Sequence, residues 1–207
     1  MGFYERHLLP HILNMALNTK AVNDERRRCL EPVEGAVLEV GFGSGLNLPY
    51  YRPGVTKVVG VDPSGELAQL ARKRVAASPV PVEIIGLSAE KIPVADATFD
   101  AIVSTFTLCT IGDVASALGE MRRALRPGGR FHFVEHGLAE DPKVVRWQER
   151  LNGIEQVVFG GCQLTRPIST LITHAGFEIK QLDHHYLGGA PKFAGFLYRG
   201  VATRSAT

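Results

Sequence analysis

The stretch that most constrains this chain is Glu39-Val40-Gly41-Phe42-Gly43-Ser44-Gly45, with Asp62 following at the end of the next apolar run. Residues 37–40 read as a short strand, the glycines as a tight strand-to-helix turn, and residues 58–62 as a second strand that carries the acid at its tip. Glycine lets the backbone approach a ligand closely, and a carboxylate at a neighbouring strand end accepts from both hydroxyls of a ribose. Together they describe a nucleoside site. A dinucleotide fold needs G-x-G-x-x-G, whose third glycine packs a helix N-terminus behind two phosphates. Leu46 stands at that position and the spacing is G-x-G-x-G, which suits a ligand without a pyrophosphate and disfavours a nicotinamide oxidoreductase.

Periodicity along the rest of the chain switches between strand and helix, the pattern of an α/β layer fold. The stretch from Phe3 to about Leu30 reads as helical, with Leu8, Leu9, Ile12, Met15 and Ala16 on one face and Pro10 breaking or bending it. Ser64 is placed to cap the helix that continues to Val75, and Asp113 to cap one running to Leu125. Residues 82–85, 99–103 and 131–135 are short apolar strands, the last preceded by an Arg126-Pro127-Gly128-Gly129 turn. A helix follows Asp141, Gly160-Gly161 breaks it, and another runs from about Thr165 to Ala175 before Gly176. Residues 177–184 and 193–201 are strands joined by too short a loop for a crossover, hence antiparallel, and residues 202–207 form a loose tail.

Composition narrows the class. With 207 residues and 45% hydrophobic side chains, one domain with a full core is expected. Lys+Arg 23 against Asp+Glu 21 gives no support for a nucleic-acid partner. No run of about 18 apolar residues occurs, and Glu5, Arg6, His7 and His11 interrupt any leader-like core, so a soluble cytoplasmic protein without a membrane span is expected. Cys29, Cys109 and Cys162 form no C-x-x-C pair, so the spacing gives neither a disulfide framework nor a structural zinc site, and Cys109 and Cys162 read as packing thiols in preference to nucleophiles. His7 and His11 have metal-ligand spacing without a third clear ligand, so no metal is expected.

Four stretches in order resemble the class I S-adenosylmethionine-dependent methyltransferases of the type 11 branch. They are Leu38 to Gly45, Val61-Asp62, Ser88-Ala89-Glu90-Lys91-Ile92-Pro93 leading to Thr98-Phe99-Asp100, and Leu125-Arg126-Pro127-Gly128-Gly129. The resemblance implies a seven-stranded, Rossmann-like, mostly parallel sheet with its last strand antiparallel, inserted between the fifth and sixth, and helices on both faces. It divides the single domain into an N-terminal helical lid (1–30), a cofactor half (31–137) and a substrate-side part (138–207). Carried over, Glu39, Gly41, Gly43 and Gly45 belong to the cofactor turn, and Asp62 binds the ribose. Pro63 lies against the adenine, Ala89 and Glu90 flank the adenine edge, and Thr105 and Phe106 sit near the transferred methyl. Ser88 stands where many relatives carry an aspartate.

A narrower resemblance, to the alkyl-thiol methyltransferases and their bacterial relatives, rests on Thr107-Leu108-Cys109-Thr110-Ile111, Glu135-His136, Trp147-Gln148 and Gly161-Cys162-Gln163-Leu164-Thr165-Arg166. The chain departs from the animal members in having no membrane-spanning anchor before the domain. The expected reaction is methyl transfer to a small lipophilic acceptor, a thiol first, with an amine, phenol or phospholipid headgroup as alternatives. An inactive cofactor-binding module is a further class, because methyl transfer needs no signature catalytic residue. Phe3, Leu8, Leu9, Ile12, Phe106, Leu108, Trp147 and Phe159 are candidates for an apolar acceptor pocket or ordinary core. His136 is the candidate general base or orienting group, against a buried histidine that only bonds backbone. Arg166 is read as an anion partner or a salt bridge, and residues 23–28 as a solvated helix face.

Overall fold

The computed structural model describes Tyr4 and residues 7–205; Phe3, Glu5, Arg6 and the last two positions of the tail lie outside them. Seven strands form one sheet, in the order β3-β2-β1-β4-β5-β7-β6. They are β1 (Gly35–Val40), β2 (Val55–Val61), β3 (Val82–Ile85), β4 (Phe99–Thr105), β5 (Leu125–His136), β6 (Phe177–Tyr186) and β7 (Phe196–Arg204). The first five are parallel, and β7 lies antiparallel between β5 and β6, as the resemblance implied. Side chains alternate across the pleat. Val37, Val58 and Ala101 face one way, onto Leu30 and Ala71, whereas Leu38, Val59 and Ile102 face the other, onto Leu118, Met121, Ile168 and Ile172. Strands covered on both faces must be apolar throughout, which is why β1, β2 and β4 read as short apolar runs.

The helices are α1 (Leu9–Ala16), α2 (Lys20–Leu30), α3 (Gly65–Ala76), α4 (Val114–Ala124), α5 (Pro142–Val158) and α6 (Ile168–His174). Ser64 caps α3 by accepting from the Leu67 N–H, and Asp113 caps α4 by accepting from Ser116. Several sequence expectations are corrected. A break does fall at Pro10: His7 is helical, Leu8 is a turn and α1 begins at Leu9 with Pro10 in its first turn, where a missing N–H costs nothing, while a second break, not expected, falls at residues 17–19, where Thr19 caps α2. Residues 126–129 are not a turn before β5 but an irregularity within it, with Gly128 at φ 79° and the pairing with β4 shifting register there. The helix expected from Thr165 begins at Ile168, because Pro167 disfavours helical backbone at Arg166, whose carbonyl instead accepts from Leu138. The tail is strand as far as Arg204.

At the centre of the sheet Gly60 makes room for Phe42. A Cβ there would fall 2.4 Å from the Phe42 ring. Gly60→Ala is expected to cost about 1–3 kcal/mol through overpacking, read as a lower urea midpoint; an unchanged midpoint contradicts this account of the β1–β2 packing.

Candidate cofactor and acceptor site

The chain runs from β1 to β2 on one side of the sheet's centre and reaches β4 on the other, so the crevice between the carboxyl ends of β1 and β4 is a topological switch point. The glycine turn shapes its floor. Gly41 and Gly43 have φ 76° and 55°, and a Cβ on Gly41 would lie 1.9 Å from Thr107 Oγ1, so only glycine lets the turn after β1 touch the loop after β4. The Gly43 N–H donates to Asp62 Oδ2 (2.8 Å) and the Ser64 N–H to Oδ1 (2.9 Å). Burial pushes the Asp62 carboxyl up, while those two amides pull it down.

A cavity of about 930 Å³ opens above this floor. Gly41, Asp62, Pro63, Ser88, Ala89 and Glu90 line one part, and Tyr4, Leu9, Pro10, Leu13, Ile111, Val157 and Phe159 line another. Beside it lies a recess of about 40 Å³ bounded by Arg26, Glu39, Gly41, Gly43, Ser44, Asn47 and Thr105. Arg26 is buried, which corrects the reading of residues 23–28 as a solvated face: Glu25 and Arg26 are both covered, and only Arg27 and Arg28 are exposed. Its Nη1 donates to Asn47 Oδ1 (2.9 Å) and Thr105 Oγ1 (2.6 Å), and its Nε is buried without a partner among the described residues. Glu39 lies below, accepting from Asn47 Nδ2 (2.9 Å) and the Tyr51 hydroxyl (2.7 Å). Burial pushes Glu39 up to about 7 against those donors. Burial also lowers Arg26 to about 10, which leaves it charged at neutral pH.

A second buried carboxylate fixes the opposite wall. Glu135 accepts from Ser104 Oγ (2.6 Å) and from the Thr107 and Leu108 N–H groups (2.8 and 3.0 Å), tying the loop after β4 to the end of β5. Just before that loop Phe106 adopts φ 56°, a left-handed conformation held by its N–H bond to Val134. Next to Glu135, His136 is buried with Nδ1 3.8 Å from Cys162 Sγ, and Cys162 Sγ is 3.5 Å from Cys109 Sγ. Contact with Cys109 and His136 pulls the Cys162 thiol down, whereas the same sulfur contact and burial push Cys109 up. Arg166 donates to the Leu108 and Ile111 carbonyls, each at 2.5 Å, so it secures backbone and is neither a salt bridge nor an exposed anion site.

Of the sequence candidates, Gly41, Asp62, Pro63, Ala89 and Glu90 line the large cavity, and Glu39, Gly41, Gly43 and Thr105 the recess. Gly45 touches neither and packs beside Leu48, Phe42 and Ala71. Phe106 packs with Cys29, Val134 and Leu197 under the Arg26 guanidinium, and Thr107 takes the place at the cavity expected of it. His136 does not line the cavity and bonds no backbone. From the apolar pocket set only Leu9 and Phe159 reach the cavity. Leu108 is core, Leu8 and Trp147 are exposed, and Ile12 lies off it. Arg26, Asn47 and Tyr51 were missed: Arg26 stands in a run of charged residues, which is ordinarily a solvated helix face, and Asn47 and Tyr51 follow the glycine turn with no signal of their own.

Fold and crevice define an α/β enzyme class that binds a nucleoside cofactor at the switch point. Residues 38–133 match the family model described as a methyltransferase domain, and the chain carries an S-adenosylmethionine-dependent methyltransferase domain of that family. It is 33% identical over 153 residues to human thiol S-methyltransferase TMT1A, covering 72% of this chain and 62% of that protein. It is 36% identical over 123 residues to the phosphatidylethanolamine N-methyltransferase of Cereibacter sphaeroides, covering 56% of this chain and 60% of that protein. The chain thus spans about three-fifths of the length of these curated relatives. The solved structure of YcgJ from Bacillus subtilis shares the fold at TM-score 0.65 and 18% identity, covering 97% of this chain and 100% of that one. No helix of the described residues is long and apolar enough to cross a membrane.

Glu135, like Glu39, is pushed up by burial to about 7 from 4.5. A carboxyl raised in the folded state binds its proton more tightly there, so its contribution to stability is full below about pH 4.5 and is lost as pH rises towards about 7. A glutamine at 135 can accept from Thr107 and Leu108 and donate to Ser104. Glu135→Gln is therefore expected to fold and to flatten this fall. Urea unfolding at several pH values checks it, and an identical slope in both proteins contradicts it.

Proposed function

We propose that the chain transfers a methyl group from S-adenosylmethionine to a small lipophilic thiol, leaving S-adenosylhomocysteine. The observation that carries the reading is the division of the cavity into a polar part around Asp62 and an apolar part built from α1, Ile111 and the end of α5. In this proposal Asp62 accepts from the ribose hydroxyls, Pro63 and Ala89 cover the adenine, and Glu90 lies at its edge. Arg26, which lines the small recess and has an unpartnered Nε among the described residues, receives the methionine carboxylate, while Glu39 and Thr105 hold Arg26 and Asn47 in place.

The cofactor supplies a methyl carbon on a sulfonium: the acceptor sulfur forms a bond to that carbon as the carbon–sulfonium bond breaks, and the electron pair returns to the cofactor sulfur. The protein's part is alignment and exclusion of water. A thiolate meeting a sulfonium loses charge on reaction, which a dry apolar wall favours over water. Leu9, Leu13, Val157 and Phe159 supply that wall, and residues 1–30 act as the lid. No histidine among the described residues lines the cavity, so in this proposal the acceptor enters as the thiolate, its proton left to solvent, and His136 is not its general base. The N-methylation of an amine headgroup is the second reading, favoured by the likeness to the phosphatidylethanolamine enzyme.

A labelled-methyl assay against thiols, amines, phenols and phospholipids tests the choice: transfer to apolar thiols is expected, and success only with another class sinks the thiol reading. Arg26→Met is expected to weaken S-adenosylhomocysteine binding about 10–100-fold, the worth of a charged hydrogen bond; unchanged affinity in calorimetry removes Arg26 from the site. Deleting residues 1–18 is expected to lower kcat/KM for the acceptor more than it weakens cofactor binding, and equal effects on both dismiss the lid.

A further inference from the structure

Cys109, His136 and Cys162 converge from three separate segments: the loop after β4, the end of β5 and the loop between α5 and α6. One ligating atom from each lies within 4.8 Å of the others. We propose that this trio is a metal site for a borderline-soft divalent cation of the zinc type, bound by two thiolates and one imidazole.

Three explanations compete for the cluster. If the thiols only pack, nothing accounts for His136, which is buried, makes no hydrogen bond through Nε2 and offers Nδ1 only to sulfur. A Cys109–Cys162 disulfide would consume the one polar partner that ring has among the described residues and leave a buried imidazole with none, which is unfavourable. A cation gives both sulfurs and the ring's Nδ1 one common partner. Bonds of about 2.3 Å to sulfur and 2.0–2.1 Å to nitrogen at a tetrahedral centre put two sulfurs about 3.8 Å apart and sulfur and nitrogen about 3.5 Å apart. The observed separations are 3.5 Å between the sulfurs and 3.8 Å from Cys162 to His136. Two thiolates neutralise a divalent ion, and a Cys2His set with imidazole and sulfur donors selects zinc over calcium or magnesium.

The ion would bind by displacing the remaining thiol protons. The segments it joins supply part of the cavity wall: Thr110 and Ile111 follow Cys109, and Gly160 and Gly161 precede Cys162. Arg166 and Glu135 already hold the loop after β4 from its carbonyl and amide sides. The site adds a side-chain cross-link between that loop and the segment after α5, beside the backbone bond that the Gln163 N–H donates to the Cys109 carbonyl (2.9 Å).

The test uses the full chain kept reduced, without cofactor or acceptor, so it stands apart from the methyl-transfer reading. Cobalt(II) is titrated in and thiolate-to-cobalt charge-transfer and tetrahedral d–d absorption are recorded, followed by displacement with zinc. One cobalt per chain is expected in the wild type and in Cys29→Ala, loss of the charge-transfer band in Cys162→Ser, and marked weakening in His136→Gln, with circular dichroism confirming that each variant is folded. Zinc is also expected to raise the thermal midpoint of the wild type, and a chelator to reverse this. Absence of the band in folded, reduced wild type, or a band equally strong in Cys162→Ser, overturns the site.

Discussion

The site depends on a buried ionic network beneath the glycine turn. Arg26 enters from α2, Glu39 from β1, and Asn47, Tyr51 and Thr105 close the gaps between them. Burying charges is expensive unless each finds partners, and removing one member leaves another stranded. Here Glu39 accepts from two neutral donors and Arg26 from its side donates to two oxygens, so the end of β1, the start of the turn and the end of β4 are fixed relative to one another. The one unsatisfied side-chain atom of this network among the described residues is Arg26 Nε, on a residue that lines the recess.

From this floor the rest follows by geometry. The order of the strands opens a crevice where neighbouring connections leave in opposite directions. Two backbone amides hold the Asp62 carboxylate, and Glu135 holds the loop after β4 from the other side. Positive φ at Gly41 lets those two halves meet at Thr107. The polar fixtures lie along the strand ends, and the apolar wall comes from α1 and α5, elements outside the matched residues 38–133. In the proposed reading most of the cofactor contacts fall inside residues 38–133 and most of the acceptor wall outside them, with Arg26 and Ile111 the exceptions, which is why the family is evident while the acceptor is a matter of proposal.

What was legible in the sequence is what local chemistry decides. The apolar strands, the glycine turn, Asp62 and the caps at Ser64 and Asp113 each depend on a few neighbouring residues, and the structure has them where the pattern puts them. What was not legible is pairing across long separations. Arg26 meets Thr105, Glu135 meets Ser104, and Cys109 meets Cys162 only after the sheet brings them together. Residues 23–28 look solvated because five charged side chains follow Asn23 in a row, with nothing in the run to announce that Glu25 and Arg26 turn inward. Trp147 looks like pocket by its type, yet it lies outside with Arg150 over its ring. Pro10 marks a helix start as expected, whereas Pro167 was passed over when the helix was begun at Thr165, because proline restricts the residue ahead of it.

The central claim is that the crevice accommodates an adenosyl sulfonium and has no provision for two phosphates. Isothermal titration of the full chain with S-adenosylhomocysteine and, separately, with NAD measures this directly. The account predicts one saturable site for the homocysteine ligand, weakened by Asp62→Ala, and no heat of binding from NAD; saturable binding of NAD with none of S-adenosylhomocysteine would contradict it.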